Sequence, residues 1–180
     1  MARLVACHCG DGMITDYDVF KALRGFVMSL FPDVDVVRTL VDDVPMPKGA
    51  FVAMNDVGRQ RIATNITEYH DPGGDEGEKR ITMKTDYAIQ LDFYGDGSAQ
   101  RAQIFSTLFF DSYAYDFMPE NIKPLHCTDP VKTALITGEE KFMERWRMTA
   151  HLQINPVVTV KEKFFDTVTI PDHFKLTPIG

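Results

Sequence analysis

The chain is poor in the residues that mark several common protein classes. It has three cysteines and one tryptophan among 180 residues, and three cysteines are too few for a disulfide framework. No apolar run approaches the roughly 20 residues of a membrane-spanning helix. No apolar run follows a basic start, as it does in a signal peptide. We therefore expect a protein of a reducing cytoplasm with no membrane association.

Positive charge is also scarce. The chain carries 19 Lys and Arg against 26 Asp and Glu, a formal net charge of −7. Proteins that grip nucleic-acid phosphates carry basic patches that replace counterions, so this balance disfavours phosphate binding as the main task. It is compatible with a wall past which DNA slides, because an acidic surface repels phosphates.

The clearest pattern present is a strict alternation of apolar and polar residues over residues 145–155. A period of two predicts a long β-strand with one face in a core and one face open, as in an antiparallel sheet. The apolar positions are Trp146, Met148, Ala150, Leu152 and Ile154. The polar face carries Arg145, Arg147 and His151, which indicate either a solvated sheet face or a subunit contact, since arginine pairs well with carboxylates at interfaces.

Two helices are predicted on the N-terminal side of this strand. Thr15 is a good N-cap with Asp18 in the capping-box position, and Pro32 ends the helix that follows. A glycine-rich turn at residues 94–98 leads into the second helix. Its inward stripe is Ala102, Phe105 and Phe109, widened by Ile104 and Leu108.

The remaining chain reads mainly as strands. They are expected at residues 34–41, 51–54, 62–69 and 81–94, within 125–136, and within 157–170, where the strand is a candidate partner of the one before it. Residues 112–124 are expected to be irregular, with a helical turn at most. The prediction is a single α+β domain over residues 14–170, a mainly antiparallel sheet with two principal helices packed on one face. An N-terminal arm (1–13) and a C-terminal tail (171–180) flank it.

The polar segment at residues 71–80 is predicted to be a flexible hairpin tip. Its acidic residues are Asp71, Asp75, Glu76 and Glu78. Their spacing does not fit a calcium-binding EF-hand loop. The ordinary interpretation is a solvated tip, and the functional one is a docking loop that orders on assembly.

No constellation of catalytic or cofactor-binding residues is evident. Cys7 and Cys9 flank His8 at a spacing unlike that of zinc sites, and His126 is merely adjacent to Cys127, whereas catalytic Cys–His pairs are assembled in space. The glycines at 73, 74 and 77, and those at 95 and 97, match neither phosphate-loop nor dinucleotide motifs. We predict no catalytic residue, metal or cofactor.

Several motifs, in order, resemble the neck or tail terminator family of tailed phages, over residues 14–170. They are Pro45-Met-Pro-Lys-Gly-Ala-Phe-Val-Ala-Met54, Ala63-Thr64-Asn65 within residues 61–69, Leu91-Asp-Phe-Tyr-Gly95, Pro124-Leu-His-Cys-Thr-Asp-Pro130, and residues 139–156 with Arg145-Trp146 and Leu152-Gln-Ile-Asn-Pro156.

The resemblance implies a structural virion protein and no catalytic residues. Such proteins are expected to form a ring, usually of six copies, that ends the tail tube and joins tail to head around the DNA. The implied partners are the tail tube protein and head-side connector proteins, with assembly in the host cytoplasm. Two alternatives stay open: another joining protein (adaptor or stopper), and a small cytosolic cysteine-dependent enzyme.

Overall fold

The computed structural model of the protein describes residues 14–39, 47–71, 77–133, 135–136 and 142–162. The N-terminal arm, the C-terminal tail and residues 72–76 of the acidic segment lie outside the described residues. The helices are α1 (Asp16–Leu30), α2 (Ser98–Phe109) and α3 (Ser112–Phe117). The strands are β1 (Asp35–Arg38), β2 (Phe51–Arg61), β3 (Ile66–His70), β4 (Gly77–Thr82), β5 (Thr85–Tyr94), β6 (Ile122–Cys127), β7 (Val131–Lys132), β8 (Leu135–Ile136), β9 (Phe142–Met143), β10 (Arg145–Ile154) and β11 (Val157–Glu162).

A main sheet in the order β1-β2-β5-β10-β6 forms the centre of the molecule, with β7 also paired to β10. β1 is parallel to β2 and the other pairs are antiparallel. The strand predicted at residues 145–155 is β10, and its alternation matches its burial, with Met148, Ala150, Leu152 and Ile154 buried. The predicted α+β class is confirmed.

The hydrophobic core lies between one face of the main sheet and the helices. Phe26 of α1 packs its ring against Phe105 and Phe109 of α2, with centroids 5.7 and 6.2 Å away. Phe93 of β5 reaches the same cluster, 5.9 Å from Phe105. Burying these large rings supplies much of the apolar area that drives folding. The other face of the sheet carries a smaller buried cluster of Phe51, Ala53 and Tyr94, and beside it the polar residues of β5 and β10.

α1 begins where the sequence predicts. The Thr15 hydroxyl oxygen accepts from the Asp18 backbone N–H, and the Asp18 carboxylate accepts from the Thr15 N–H at 2.9 Å, a complete capping box. The helix ends at Leu30, before Pro32. Among the described residues, no helix is long and apolar enough to cross a membrane.

A second, smaller sheet continues three strands of the main sheet: β3 follows β2, β4 precedes β5, and β11 follows β10. It has the order β11-β4-β3, and we call it the small sheet. Two predictions need correction here. The strand expected at residues 81–94 is divided at residues 83–84 into β4 and β5, and β11 pairs with β4, not with β10. Pro156 separates β10 from β11, and β11 then pairs with β4 of the neighbouring hairpin.

β2 is longer than the predicted strand at 51–54. A bulge between Asp56 and Gly58 shifts the register, and polar residues then continue the pairing with β5 as far as Arg61. Gly58 sits there at a φ of 151°, a value that favours glycine. The strand expected at residues 62–69 is β3, which begins only at Ile66.

Residues 112–124 are more regular than predicted. The Asp111 carboxylate accepts from the Tyr113 N–H at 3.0 Å and caps α3, and β6 has already begun at Ile122. A helix of six residues carries too little periodicity to be seen in sequence. β1 occupies the middle of the strand predicted at 34–41.

Candidate assembly surfaces

The polar face of the main sheet contains a buried aspartate held by two arginines. The register pairs Arg147 of β10 with Asp92 of β5. Arg145 donates two hydrogen bonds to the Asp92 carboxylate, from Nε at 3.0 Å and Nη2 at 2.8 Å, and Arg147 Nε donates a third at 3.1 Å. The Asp92 side chain is only 1% exposed, against 15% for Arg145 and 42% for Arg147.

Arg145 and Arg147 therefore differ in how available they are to a partner. The hydrogen bonds to Asp92 raise the pKa of Arg145, an effect that burial opposes. Arg145 is therefore committed to neutralising a buried carboxylate, which is expensive to leave unpaired. Arg147 is the more exposed of the two, and its terminal guanidinium nitrogens can still reach a partner outside the chain.

The third predicted interface residue, His151, lies in a neighbouring cluster on the same face. Its Nδ1 is 2.9 Å from the Asp86 carboxylate on β5. The His126 ring of β6 stacks on it, with centroids 4.2 Å apart and an interplanar angle of 9°. The two histidines are brought together by the β10–β6 register, which pairs them directly.

The structure thus places Arg145, Arg147 and His151 on one face, as the sequence predicts, but each is anchored by an aspartate. Asp86 and Asp92 were not identified from the sequence. They occupy the polar positions of the alternation in β5, which is the signal that marks them. Their partners follow only from the β5–β10 register, a long-range feature.

The predicted docking loop is divided between described and undescribed residues. Asp71 directly follows β3 and is exposed, whereas Glu78 lies in β4, 3.7 Å from Arg80 in an ion pair. Residues 77–80, which the sequence placed in the tip, are therefore paired in a strand. Asp75 and Glu76 lie outside the described residues.

The small sheet is the least buried part of the described chain. Every residue of β3 is exposed, no residue of β11 is buried, and the one buried residue of β4 is a glycine. Tyr69 and Val158 are 60% and 40% exposed. Three strands normally need a covered hydrophobic face to be stable alone. Within its own chain, this sheet therefore has little apolar packing to stabilise it.

The thiol of Cys127 does not have the surroundings of a nucleophile. It is buried, 3.7 Å from the Ser106 hydroxyl, and burial raises the pKa of its thiol. A raised pKa lowers the thiolate fraction at neutral pH. His126 points to the opposite face of the sheet, so the two neighbours do not form a catalytic pair. Cys7, His8 and Cys9 lie outside the described residues.

The glycines at 95 and 97 have a structural role, and those at 73 and 74 lie outside the described residues. Gly95 and Gly97 have φ values of 81° and 76° and turn the chain from β5 into α2. Arg101 of α2 closes this turn by donating to the carbonyl oxygens of Tyr94 and Asp96, at 3.1 and 2.8 Å. Among the residues that the structure describes, no group of three or more His, Cys, Asp or Glu could hold a metal ion.

Comparison with known proteins gives one informative match. A family model described as phage neck terminator protein matches residues 17–177, which covers every described element apart from the first residue of α1. A comparison with curated protein sequences gives no match.

Proposed function

The chain belongs to the phage neck terminator family, and from that premise we propose that it forms a closed ring, of six copies, at the head-proximal end of the tail. The ring stops growth of the tail tube and joins tail to head around the path of the DNA. Membership of this family already makes the chain a structural component of the phage neck.

The observation that carries the proposal is the small sheet. It extends the β2–β5 hairpin and β10 beyond the helix-covered core, and its residues are exposed or only half-buried apart from one glycine. An extension of this kind gains little free energy within its own chain, because it removes little apolar area from water. Packing against a neighbouring copy buries the apolar area that this sheet leaves exposed. If the small sheet packs on a different surface of the next copy, the contact is heterologous, and such contacts form a ring when the rotation between copies closes.

The polar face of the main sheet supplies a second contact. Arg147 and His151 lie four positions apart on this face of β10, held in place by Asp92 and Asp86 respectively. Side chains that are already positioned lose little conformational entropy when a partner binds. We assign the half-exposed guanidinium of Arg147 to a carboxylate of an adjacent subunit. Arg145 binds the same Asp92 carboxylate and so helps to fix its position. The docking loop at Asp71, Asp75, Glu76 and Glu78 provides carboxylates for assembly.

The overall charge is consistent with a DNA conduit. A net charge of −7 per chain becomes a large negative charge in a ring of several copies. A lumen lined by the acidic residues would repel phosphates, so that DNA would pass without sequence-specific binding. The partners in the particle are then the tail tube protein on one side and head-side connector proteins on the other, with assembly in the host cytoplasm.

Cryo-electron microscopy of intact particles tests the proposal most directly. We expect a closed ring of this chain, coaxial with the DNA, between the head and the top of the tail tube. A phage that lacks the gene should produce unjoined heads and tails. A position on the head side, bound to the portal, would instead identify an adaptor or stopper. Joined, infectious particles without the protein would refute the proposal.

A further inference from the structure

A groove lies between α1 and the β1 edge of the main sheet, away from the polar face. It encloses about 520 Å³. Its floor includes the buried side chains of Phe20, Val36 and Met54. Its lining is completed by Tyr17, Lys21, Arg24, Gly25 and Arg38.

The rim of this groove is positively charged. Lys21, Arg24 and Arg38 are all exposed, and none of the lining residues is acidic. The Arg38 guanidinium lies over the Phe20 ring, 4.0 Å from its centroid, and Arg24 Nε donates to the Val36 carbonyl oxygen at 3.2 Å. Within the part of the chain that the structure describes, none of the three cations forms an ion pair. Lys21 has the Asp18 carboxylate nearby on α1, but a rim of three cations around an apolar floor is still notable in a chain of net charge −7.

An acidic segment is the complementary ligand for such a groove. Residues 71–78 contain four acidic residues and no Lys or Arg. They connect β3 to β4 and include the first two residues of β4, where Glu78 also pairs with Arg80. Opposite charges on two surfaces steer association and fix its register.

The groove is out of reach of the β3–β4 hairpin of its own chain. Met54 in the groove and His70 at the end of β3 are separated by 16 positions along the hairpin, up to about 50 Å of extended strand. Paired strands do not fold back on themselves over such a distance. A contact of the tip of one copy with the groove of the next is heterologous, as ring closure requires.

We infer that the groove between α1 and β1 binds the acidic hairpin tip, residues 71–78, of a neighbouring copy of the same chain. This contact rests on the proposed ring and names two surfaces that meet in it.

Charge exchange in the full-length chain tests the contact. One variant reverses the groove (Lys21→Glu with Arg38→Glu), one reverses the tip (Asp75→Lys with Glu76→Lys), and one combines the two. Arg24 is left unchanged because its bond to Val36 joins α1 to β1. Lys48→Glu with Arg61→Glu is the control, because it changes two exposed cations outside the groove and alters the net charge equally.

The readout is the yield of joined particles when each variant complements a phage that lacks the gene. Each single reversal should lower the yield at least about tenfold, since like charges then face each other. The combined variant should restore it, which a merely misfolded groove variant would not do. Reversals as harmless as the control, or a combined variant that is not rescued, would overturn the contact.

A second measurement separates this contact from the proposed function. Carbodiimide joins lysine amines to carboxylates that touch them, and a mixture of light and isotope-labelled protein identifies links between copies. We expect Lys21 of one copy to be linked to residues 71–78 of another. If the gene proves dispensable for joining while this link forms, the proposed function fails and the contact stands. If the gene is essential but the link is absent, the reverse holds.

Discussion

At the scale of single residues, Asp92 is the most consequential side chain on the polar face. It is 1% exposed and accepts from Arg145, Arg147 and Gln90. A carboxylate buried to this extent is tolerated only because cations and hydrogen-bond donors surround it. In turn, it fixes the directions of both arginines. The positions of the candidate interface residues therefore depend on a residue that does not reach the surface.

Replacing Asp92 with alanine should lower the free energy of unfolding by about 3–5 kcal/mol, because it leaves Arg145 nearly buried without a counter-charge. Urea unfolding of the isolated protein measures this change. Asp33→Ala, at an exposed turn, is the matched control and should cost less than about 0.5 kcal/mol. Arg147→Ala should cost less than about 1 kcal/mol, since that pair is partly solvated. Equal costs for Asp92 and Asp33 would contradict the account.

At the scale of elements, the sequence predicts what depends on local patterns. β10 alternates over its whole length, and Thr15 with Asp18 marks the start of α1, so both were predicted closely. The division of residues 81–94 into β4 and β5 was missed, because the break at residues 83–84 carries no glycine or proline. The pairing of β11 with β4 was missed for a related reason: strand partners are chosen by tertiary packing and not by the strand's own sequence.

The candidate interface residues could likewise be predicted only where a local pattern marks them. Arg145, Arg147 and His151 could be assigned to one face from periodicity alone. Their partners Asp92 and Asp86 could not be assigned, since the β5–β10 register is set by contacts more than 50 residues apart in sequence. The groove between α1 and β1 could not be predicted from the sequence for the same reason, because Lys21 and Arg38 come together only when α1 packs beside β1.

The capping box of α1 gives a prediction at this scale. Thr15→Ala should lower the free energy of unfolding by about 1 kcal/mol, because it leaves a first-turn N–H without its acceptor. Thr107→Ala is the control: Thr107 is exposed within α2, and alanine favours the helix there, so no loss is expected. A Thr15 variant as stable as the Thr107 variant, in urea unfolding, would show that the cap contributes nothing.

The same cap should be visible in the pH dependence of stability. Hydrogen bonds from the Thr15 side chain and backbone lower the pKa of Asp18 in the folded protein. The folded pKa then lies below the unfolded one, so this stabilisation is present at neutral pH. It is lost as the pH falls below about 4, through the folded pKa. Asp18→Asn should remove this part of the acid dependence while leaving the rest of the curve unchanged.

At the scale of the whole molecule, the described chain has one part with its own hydrophobic core and one exposed part without a core. The helices and the main sheet share one core, and its largest side chains are completely buried. The small sheet adds strands and almost no buried area. Such a division fits the proposed ring, in which the small sheet packs against a neighbouring copy.

This division predicts that the small sheet can be shortened without unfolding the rest. Residues 63–83 would be replaced by Asn-Gly, a two-residue hairpin turn, between Ile62 and Lys84. The Ile62 N–H already donates to the Lys84 carbonyl oxygen at 3.1 Å, so the ends of β2 and β5 are in place for closure. We expect the free energy of unfolding to change by about 1 kcal/mol or less, because little apolar area is lost.

Leu91→Ala in β5 is the comparison for this shortened chain, since it removes a completely buried side chain from the same hairpin and should cost about 2–5 kcal/mol in the same urea experiment. The shortened chain should nevertheless fail to enter phage particles, whereas Leu91→Ala, if still folded, should enter them. A shortened chain that unfolds would mean that the small sheet belongs to the folding unit. One that folds and is incorporated normally would mean that the subunits of the ring are held together by other surfaces.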